Sequence, residues 1–292
     1  MNKFLTIYTP TFNRGHLLRR VYSSLLEQTC KEFKWLVIDD GSCDDTNQVV
    51  QKMIDENKIE IIYVFKENGG VHTARDMAYQ MCDTELIVGC DSDDWLTIDA
   101  VKDWKICWEN NKENVIGIYS VVIDADKKRI TDVFPPMYSC SYQDYTYKYN
   151  CKYEKHTVIK KEIISQLPDF PVFEDEHLVG EAYKWIQLPI DGKFILMDKP
   201  TRVYQQQDDG YMRNFNEIRF FNPKGFRELY RQYIIHAKYI KPKLKGELGY
   251  IAYSLIARDR RIIMNSPTPI MTILMFPLGL IVYCIFYIRR IR

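Results

Sequence analysis

Over the first ~125 residues, short apolar runs rich in β-branched and aromatic side chains alternate with longer stretches whose apolar positions recur at helical spacing. Five of the short runs read as strands, at 4–8, 33–39, 59–65, 85–90 and 115–123. The stretches between them predict helices near 15–28, 45–57, 70–82 and 98–110; in the first, Leu17, Leu18, Val21 and Leu25 keep one apolar face. Strands that alternate with helices call for a mostly parallel sheet with crossover helices, the doubly wound α/β class.

The pattern changes after that. Residues 124–129 read as a turn, and the tyrosine-rich stretch Pro135–Tyr153 has no clear period, so loops and short edge strands are expected there, where a substrate pocket can vary. Helices near 160–167 and 177–187 and a strand at 194–205 complete the body. From about residue 215 the chain reads as helical, basic and aromatic, as a surface lying against a membrane or a subunit would. Residues 270–288 carry no charge, and arginines stand on both sides: Arg258, Arg260 and Arg261 before, Arg289, Arg290 and Arg292 after. That run is just long enough to cross hydrocarbon, but Pro277 and Gly279 interrupt it, so a shallow helical hairpin fits as well as a spanning helix. The expected division is a catalytic domain over 1–215, a basic aromatic helical extension over 216–266, and a hydrophobic membrane segment with a basic tail over 267–292.

Composition adds a charge asymmetry. The 292 residues balance at a net +1, yet residues 213–292 carry 15 basic and 4 acidic side chains, a net +11, against −10 for the rest. An acidic body suits metal ions and polar small molecules; a basic end beside an apolar run suits lipid phosphates better than nucleic acid, because no nucleic-acid recognition fold is readable around it. The eight cysteines show neither C-x-x-C nor Cys/His spacing, so zinc and redox dithiols are not indicated. The apolar-leaning run after Met1-Asn2-Lys3 is too short for a signal-peptide core, which puts the expected location of the body in the cytosol, at the inner face of the membrane.

Four segments that carry chemistry each follow a predicted strand: 9–14 (Thr-Pro-Thr-Phe-Asn-Arg), 38–42 (Ile-Asp-Asp-Gly-Ser), 68–70 with Ala74-Arg75, and 91–94 (Asp-Ser-Asp-Asp). In a doubly wound sheet the carboxyl ends of the strands share one crevice, so these four would converge. Asp91 and Asp93 can share a hard divalent cation that also holds a diphosphate. Asp39 or Asp40 can accept the imide N–H of a uracil, since Asp44 or Asp45 is left to cap the next helix. Gly69-Gly70 lets a helix N-terminus approach an anion, with Arg75 as a fixed charge nearby. No G-x-G-x-x-G, Walker lysine or G-x-S-x-G occurs, and the five histidines, in no metal pattern, read as satisfied surface groups.

These segments together resemble the inverting, metal-dependent family 2 glycosyltransferases of the GT-A fold, over roughly residues 3–205. The resemblance implies that Thr11, Asn13, Asp40, Arg75, Asp91 and Ser92 contact the nucleotide-sugar, that Asp40 reads uracil and that Asp93 holds the metal, Mn²⁺ or Mg²⁺. It implies a carboxylate base on a loop facing the acceptor. In the segment 170–185, Glu181 matches the family's Glu while Ala182 replaces the usual Asp, so Glu181 is the expected base with Asp175 second; at least one of Glu174, Asp175 and Glu176 is expected to cap a helix at 177 instead. The expected partners are a nucleotide-sugar donor, a saccharide or lipid-linked acceptor and a membrane, without nucleic acid. The rival reading is a catalytically silent nucleotide-sugar-binding or scaffold subunit of a membrane polysaccharide complex.

Overall fold

The computed structural model describes residues 3–205 and 215–291. The chain forms two compact units: residues 1–167 with 191–207, and residues 168–190 with 208–292.

The first unit is built on one mixed sheet. Its strands are β1 (Leu5–Thr11), β2 (Phe33–Asp39), β3 (Ile61–Phe65), β4 (Leu86–Gly89), β5 (Trp95–Leu96), β6 (Gly117–Asp124), β7 (Ser139–Ser141), β8 (His156–Lys160) and β9 (Lys193–Tyr204). They lie in the order β3-β2-β1-β4-β8-β6-β9-β5, with β7 on β9. β3, β2, β1 and β4 are parallel, as the alternation with helices requires; β8 runs antiparallel to both β4 and β6. Helices α1 (Gly15–Leu26), α2 (Thr46–Asp55), α3 (Val71–Met81) and α4 (Ala100–Asn111) make the crossovers, and the short α5 (Lys161–Ile164) follows β8. The core lies between the sheet and its helices: Leu18, Val21 and Leu25 of α1 and Trp104 and Trp108 of α4 are buried with Val37, Val88 and Ile118.

Part of the tyrosine-rich stretch turns inward: Tyr142 and Tyr145 are buried, while Tyr138 and Tyr153 stay exposed. It forms β7 and a π-helical turn, Asp144–Lys148, and its Tyr145 packs on Tyr119, which stacks on Phe194 at 4.1 Å. Lys155 sits within 5.2–5.7 Å of the rings of Tyr119, Tyr142 and Tyr145. Tyr142 and Tyr145 are core, packed with Tyr119 of β6, in a stretch whose other tyrosines face solvent or the boundary, so it shows no single period. His72 and His156 also depart from the surface reading, for both are buried.

The second unit holds α6 (Ala182–Trp185), α7 (Phe215–Phe221), α8 (Pro223–His236), α9 (Ile240–Ile256) and α10 (Pro269–Ile291). The helix expected from 177 begins only at 182. The amides of His177 and Leu178 donate to Asn222 Oδ1 at 2.8 and 3.0 Å, so a partner distant in sequence takes the place of a helical turn. Glu176 does act as a cap, but for α8: its carboxylate accepts the amides of Lys224 (2.8 Å) and Gly225 (2.7 Å). All eight cysteines are free.

Candidate active site

The register of the parallel strands brings the predicted segments to one edge. Thr11 pairs with Asp39 and Tyr8 with Gly89, so the chain leaves β1, β2 and β4 at neighbouring points. The Asp40 amide then donates to Thr11 O at 2.8 Å, and Asn13 and the 42–43 turn exchange two bonds: Asn13 N to Ser42 Oγ and Cys43 N to Asn13 Oδ1, each 2.8 Å. Asn13 takes a positive φ of 53°, which a short polar side chain tolerates. Gly41, at φ 86°, approaches Asn68, where an added Cβ would meet the Asn68 nitrogen at 2.8 Å.

Each acidic group at this edge has a defined environment. Asp44 receives the amides of Thr46 and Gly15 and anchors the starts of two helices. Asp39 is buried and accepts from Ser42 N (2.8 Å) and Tyr63 Oη (2.6 Å); burial, and then Asp39, raises the Tyr63 phenol well above its ordinary value. Asp40, also buried, accepts from Lys66 Nζ at 2.5 Å and from the Gly69 and Gly70 amides at 3.0 and 2.8 Å. It therefore holds the glycine loop at the start of α3, with Gly70 at φ 89°, and retains one oxygen with a single partner.

Asp91, Ser92 and Asp93 form the turn after β4, closed by Asp94 N to Asp91 O at 3.0 Å. Asp91 is the most open, 3.6 Å from Arg75 Nη2; Ser92 is buried; Asp93 pairs with Arg14 at 3.1 Å. Burial and then the Asp91 charge raise the Asp93 carboxyl above its usual range against the pull of Arg14. Asp94 faces the other way. It is buried against Arg202 (3.4 Å), which also meets Glu154 (2.7 Å), and burial together with its acidic neighbours pushes it up to about 7 against the pull of Arg202. Among the described residues no three His, Cys, Asp or Glu side chains converge as a ready metal cage. Two carboxylates two residues apart in one turn, Asp91 and Asp93, still fit a hard cation whose remaining ligands come from a diphosphate.

Three supporting groups were not assigned from sequence. Arg20 stacks 4.3 Å over Trp95 and donates to the Asp93 carbonyl and to Gln205 Oε1, so it ties the acidic turn to the end of β9. His156 Nε2 lies 2.8 Å from Gly89 O and Nδ1 3.0 Å from Thr201 Oγ1, which pins the end of β4. Lys66 compensates Asp40. Their partners lie 26 to 185 residues away, beyond any local pattern.

His156 also gives a pH test. Burial, then Arg202, hold its pKa well below the ordinary value, so the native ring stays neutral while the unfolded one protonates below about pH 6.5. The unfolded state then binds the extra proton, and the folded state loses about 1.4 kcal/mol of stability per pH unit as pH falls below that point. Urea melts at a series of pH values should show this slope, reduced in His156→Gln by about one proton's worth.

Of the expected site residues, Thr11, Asn13, Asp40, Arg75, Asp91, Ser92 and Asp93 all lie in the first unit, joined by the bonds above. Thr11 Oγ1 is buried without a hydrogen-bond partner. Glu181 and Asp175 lie in the second unit. Glu181 is half-buried just before α6, with its carbonyl accepting the Lys184 amide at 3.0 Å; Asp175 is 83% exposed, 3.7 Å from Lys224 Nζ.

A doubly wound α/β sheet with an acidic pair at its carboxyl edge defines a class, and comparison with known proteins names it. The model of the family described as "Glycosyl transferase family 2" matches residues 6–162, more than half of the chain, and the chain belongs to that family. The poly(ribitol-phosphate) β-N-acetylglucosaminyltransferase TarP of Staphylococcus aureus (strain N315) is 33% identical over 124 residues, 41% of this chain and 37% of that protein. Residues 1–349 of S. aureus TarS, solved with UDP-GlcNAc, superpose with a TM-score of 0.63 at 14% identity over 91% of this chain and 76% of that one. The mannosyltransferase PcManGT from Pyrobaculum calidifontis, solved with GDP-Man and Mn²⁺, gives 0.55 at 16% identity over 99% and 84%. These structures share the GT-A fold with this chain. The chain spans between 10% and 40% of the length of the curated relatives it matches.

Proposed function

We propose that the protein transfers a sugar, with inversion, from a UDP-sugar to a hydroxyl of a saccharide or lipid-linked acceptor in bacterial surface-polysaccharide assembly, at the cytosolic face of the membrane. The observation that carries this reading is the convergence of four strand-end segments on one sheet edge, with Asp91 and Asp93 in the turn after β4. TarP is named for N-acetylglucosaminyl transfer and TarS was solved with UDP-GlcNAc, which favours an N-acetylhexosaminyl donor. Membrane placement rests on the 20 residues Pro269–Ile288, a helix of mean hydropathy 2.2 with 11% of its apolar window buried.

In this reading Asp91 and Asp93 would hold a divalent cation, which would supply positive charge for the departing diphosphate. The chain's own groups do the rest. Thr11, with its unpaired hydroxyl, and Asn13 line the nucleoside; Asp40 presents its remaining acceptor site to the base and shapes the Gly69-Gly70 loop; Arg75 adds positive charge beside the diphosphate. Glu181 takes the proton of the acceptor hydroxyl as the new bond forms.

The direct test is UDP release from a panel of UDP-sugars with Mn²⁺ or Mg²⁺ and candidate acceptors. Release that needs both acceptor and metal supports the reading; binding of UDP-sugar without turnover favours the silent subunit, for which Ala182 is the motivating residue. Asp40→Ala should weaken UDP binding by roughly tenfold with or without metal, because it removes an acceptor and leaves two loop amides unpaired. Calorimetric titration with UDP checks it, and equal affinity in both proteins would contradict it.

A further inference from the structure

We infer that α10 lies in the plane of an anionic bilayer surface, half-sunk along its length, and does not cross it. This rests on the membrane association proposed above and is independent of the transfer chemistry.

The two faces of α10 carry the argument. Ile270, Ile273, Leu274, Leu278, Ile281, Ile285 and Ile288 are all exposed, and their spacing of three, one, four, three, four and three residues draws one continuous stripe along the helix. The opposite stripe is held by the second unit from end to end. Near the start, buried Glu247 of α9 accepts the hydroxyls of Thr268 and, at 3.1 Å, Thr272. In the middle, Gly279 lies so close to α9 that an added Cβ would meet Ile251 at 2.5 Å. Towards the end, Phe286 packs on Tyr253 (5.4 Å between ring centres) and Tyr287 on Phe220 (6.0 Å), with the Arg219 guanidinium 5.3 Å above the Phe286 ring.

A helix bound this way cannot cross the hydrocarbon without taking its partners along. Lys241 and Lys245 line the same cleft of about 400 Å³ as Val282 and Phe286, and Arg219 and Glu247 are fixed against the helix. Charged groups at that depth are strongly disfavoured. Placed in the interface, the exposed stripe enters the acyl region while these charges stay on the protein side. The ends agree: exposed Arg258, Arg260 and Arg261 stand before α10, followed by exposed Ile263 and Met264, and Arg289, Arg290 and Arg292 close the sequence. Arginines at both ends favour leaving both ends on one side, next to anionic headgroups.

The test uses the full chain with a short epitope tag added after Arg292, in inside-out and right-side-out membrane vesicles treated with protease. In-plane seating predicts that the tag and the body are cut from the same, cytosolic face. A tag protected while the body is cut would show that α10 spans the bilayer and overturn the inference, as would full-length protein that stays in the soluble fraction. Purified protein should also float with vesicles containing phosphatidylglycerol at least tenfold more tightly than with phosphatidylcholine alone. Leu274→Asp with Ile281→Asp, both on the exposed stripe, should release the protein while its circular dichroism and UDP turnover persist; retention of the variant on the membrane would refute the stripe as the contact. Turnover without membrane binding defeats this inference alone, and membrane binding without turnover defeats the transferase reading alone.

Discussion

Asp93→Ala lowers sugar transfer by roughly 10³-fold or more while the protein keeps its fold. Asp93 sits in the turn after β4 with Arg14 as its charge partner, and burial beside Asp91 already raises its carboxyl. A carboxylate held against its preference for solvent contributes little to stability, so its removal should leave the melting temperature unchanged or slightly higher. In the proposed reading the variant would lack the second anionic ligand for the cation, leaving Asp91, which Arg75 also attracts. UDP release measured with Mn²⁺, together with thermal melts, checks both halves. Turnover at the wild-type rate in the folded variant would remove Asp93 from the mechanism.

Glu181→Gln should slow transfer by roughly 10²-fold or more while UDP still binds, because glutamine keeps the shape and removes only the proton acceptor. Asp175→Asn should change little, since Asp175 is mostly in solvent with a loose partner in Lys224, and Asp and Asn there differ chiefly in a screened charge. Single-turnover rates of both variants, at saturating donor and acceptor, separate the assignments. A full rate in Glu181→Gln with a collapse in Asp175→Asn would move the base to Asp175.

The parallel half of the fold was legible because its information is local. Apolar runs and helical periods fix β1 to β4 and α1 to α4 to within about three residues at each end, since each is bounded by a turn or a cap in its own sequence. β8 and the direction in which it runs were not legible, because nothing in the run His156–Lys160 states whether its neighbours are parallel. The two-residue β5 has no period to detect and is defined by its partner on β9. In the site, the four motif segments were readable as strand ends, whereas the arginine ties from Arg20 and Arg202 depend on tertiary closure and leave no mark at either residue. The capping carboxylate among 174–176 was anticipated, but its helix was not, as the amides it holds are 48 and 49 residues away.

That last separation has a consequence for how the chain is made. Residues 168–190 leave the first unit between β8 and β9 and cluster with the second. On the ribosome, the sheet can close around β9 while this excursion still waits for residues 222 to 225, so the Glu176 carboxylate and the His177 and Leu178 amides stay without their native partners until α8 follows. A nascent chain halted with residues up to about 215 outside the exit tunnel would therefore offer this loop to proteases and chaperones, and one released after α9 would not. The segment that carries Glu181 is thus among the last parts of the protein to take shape, although it is synthesised before the final strand of the sheet.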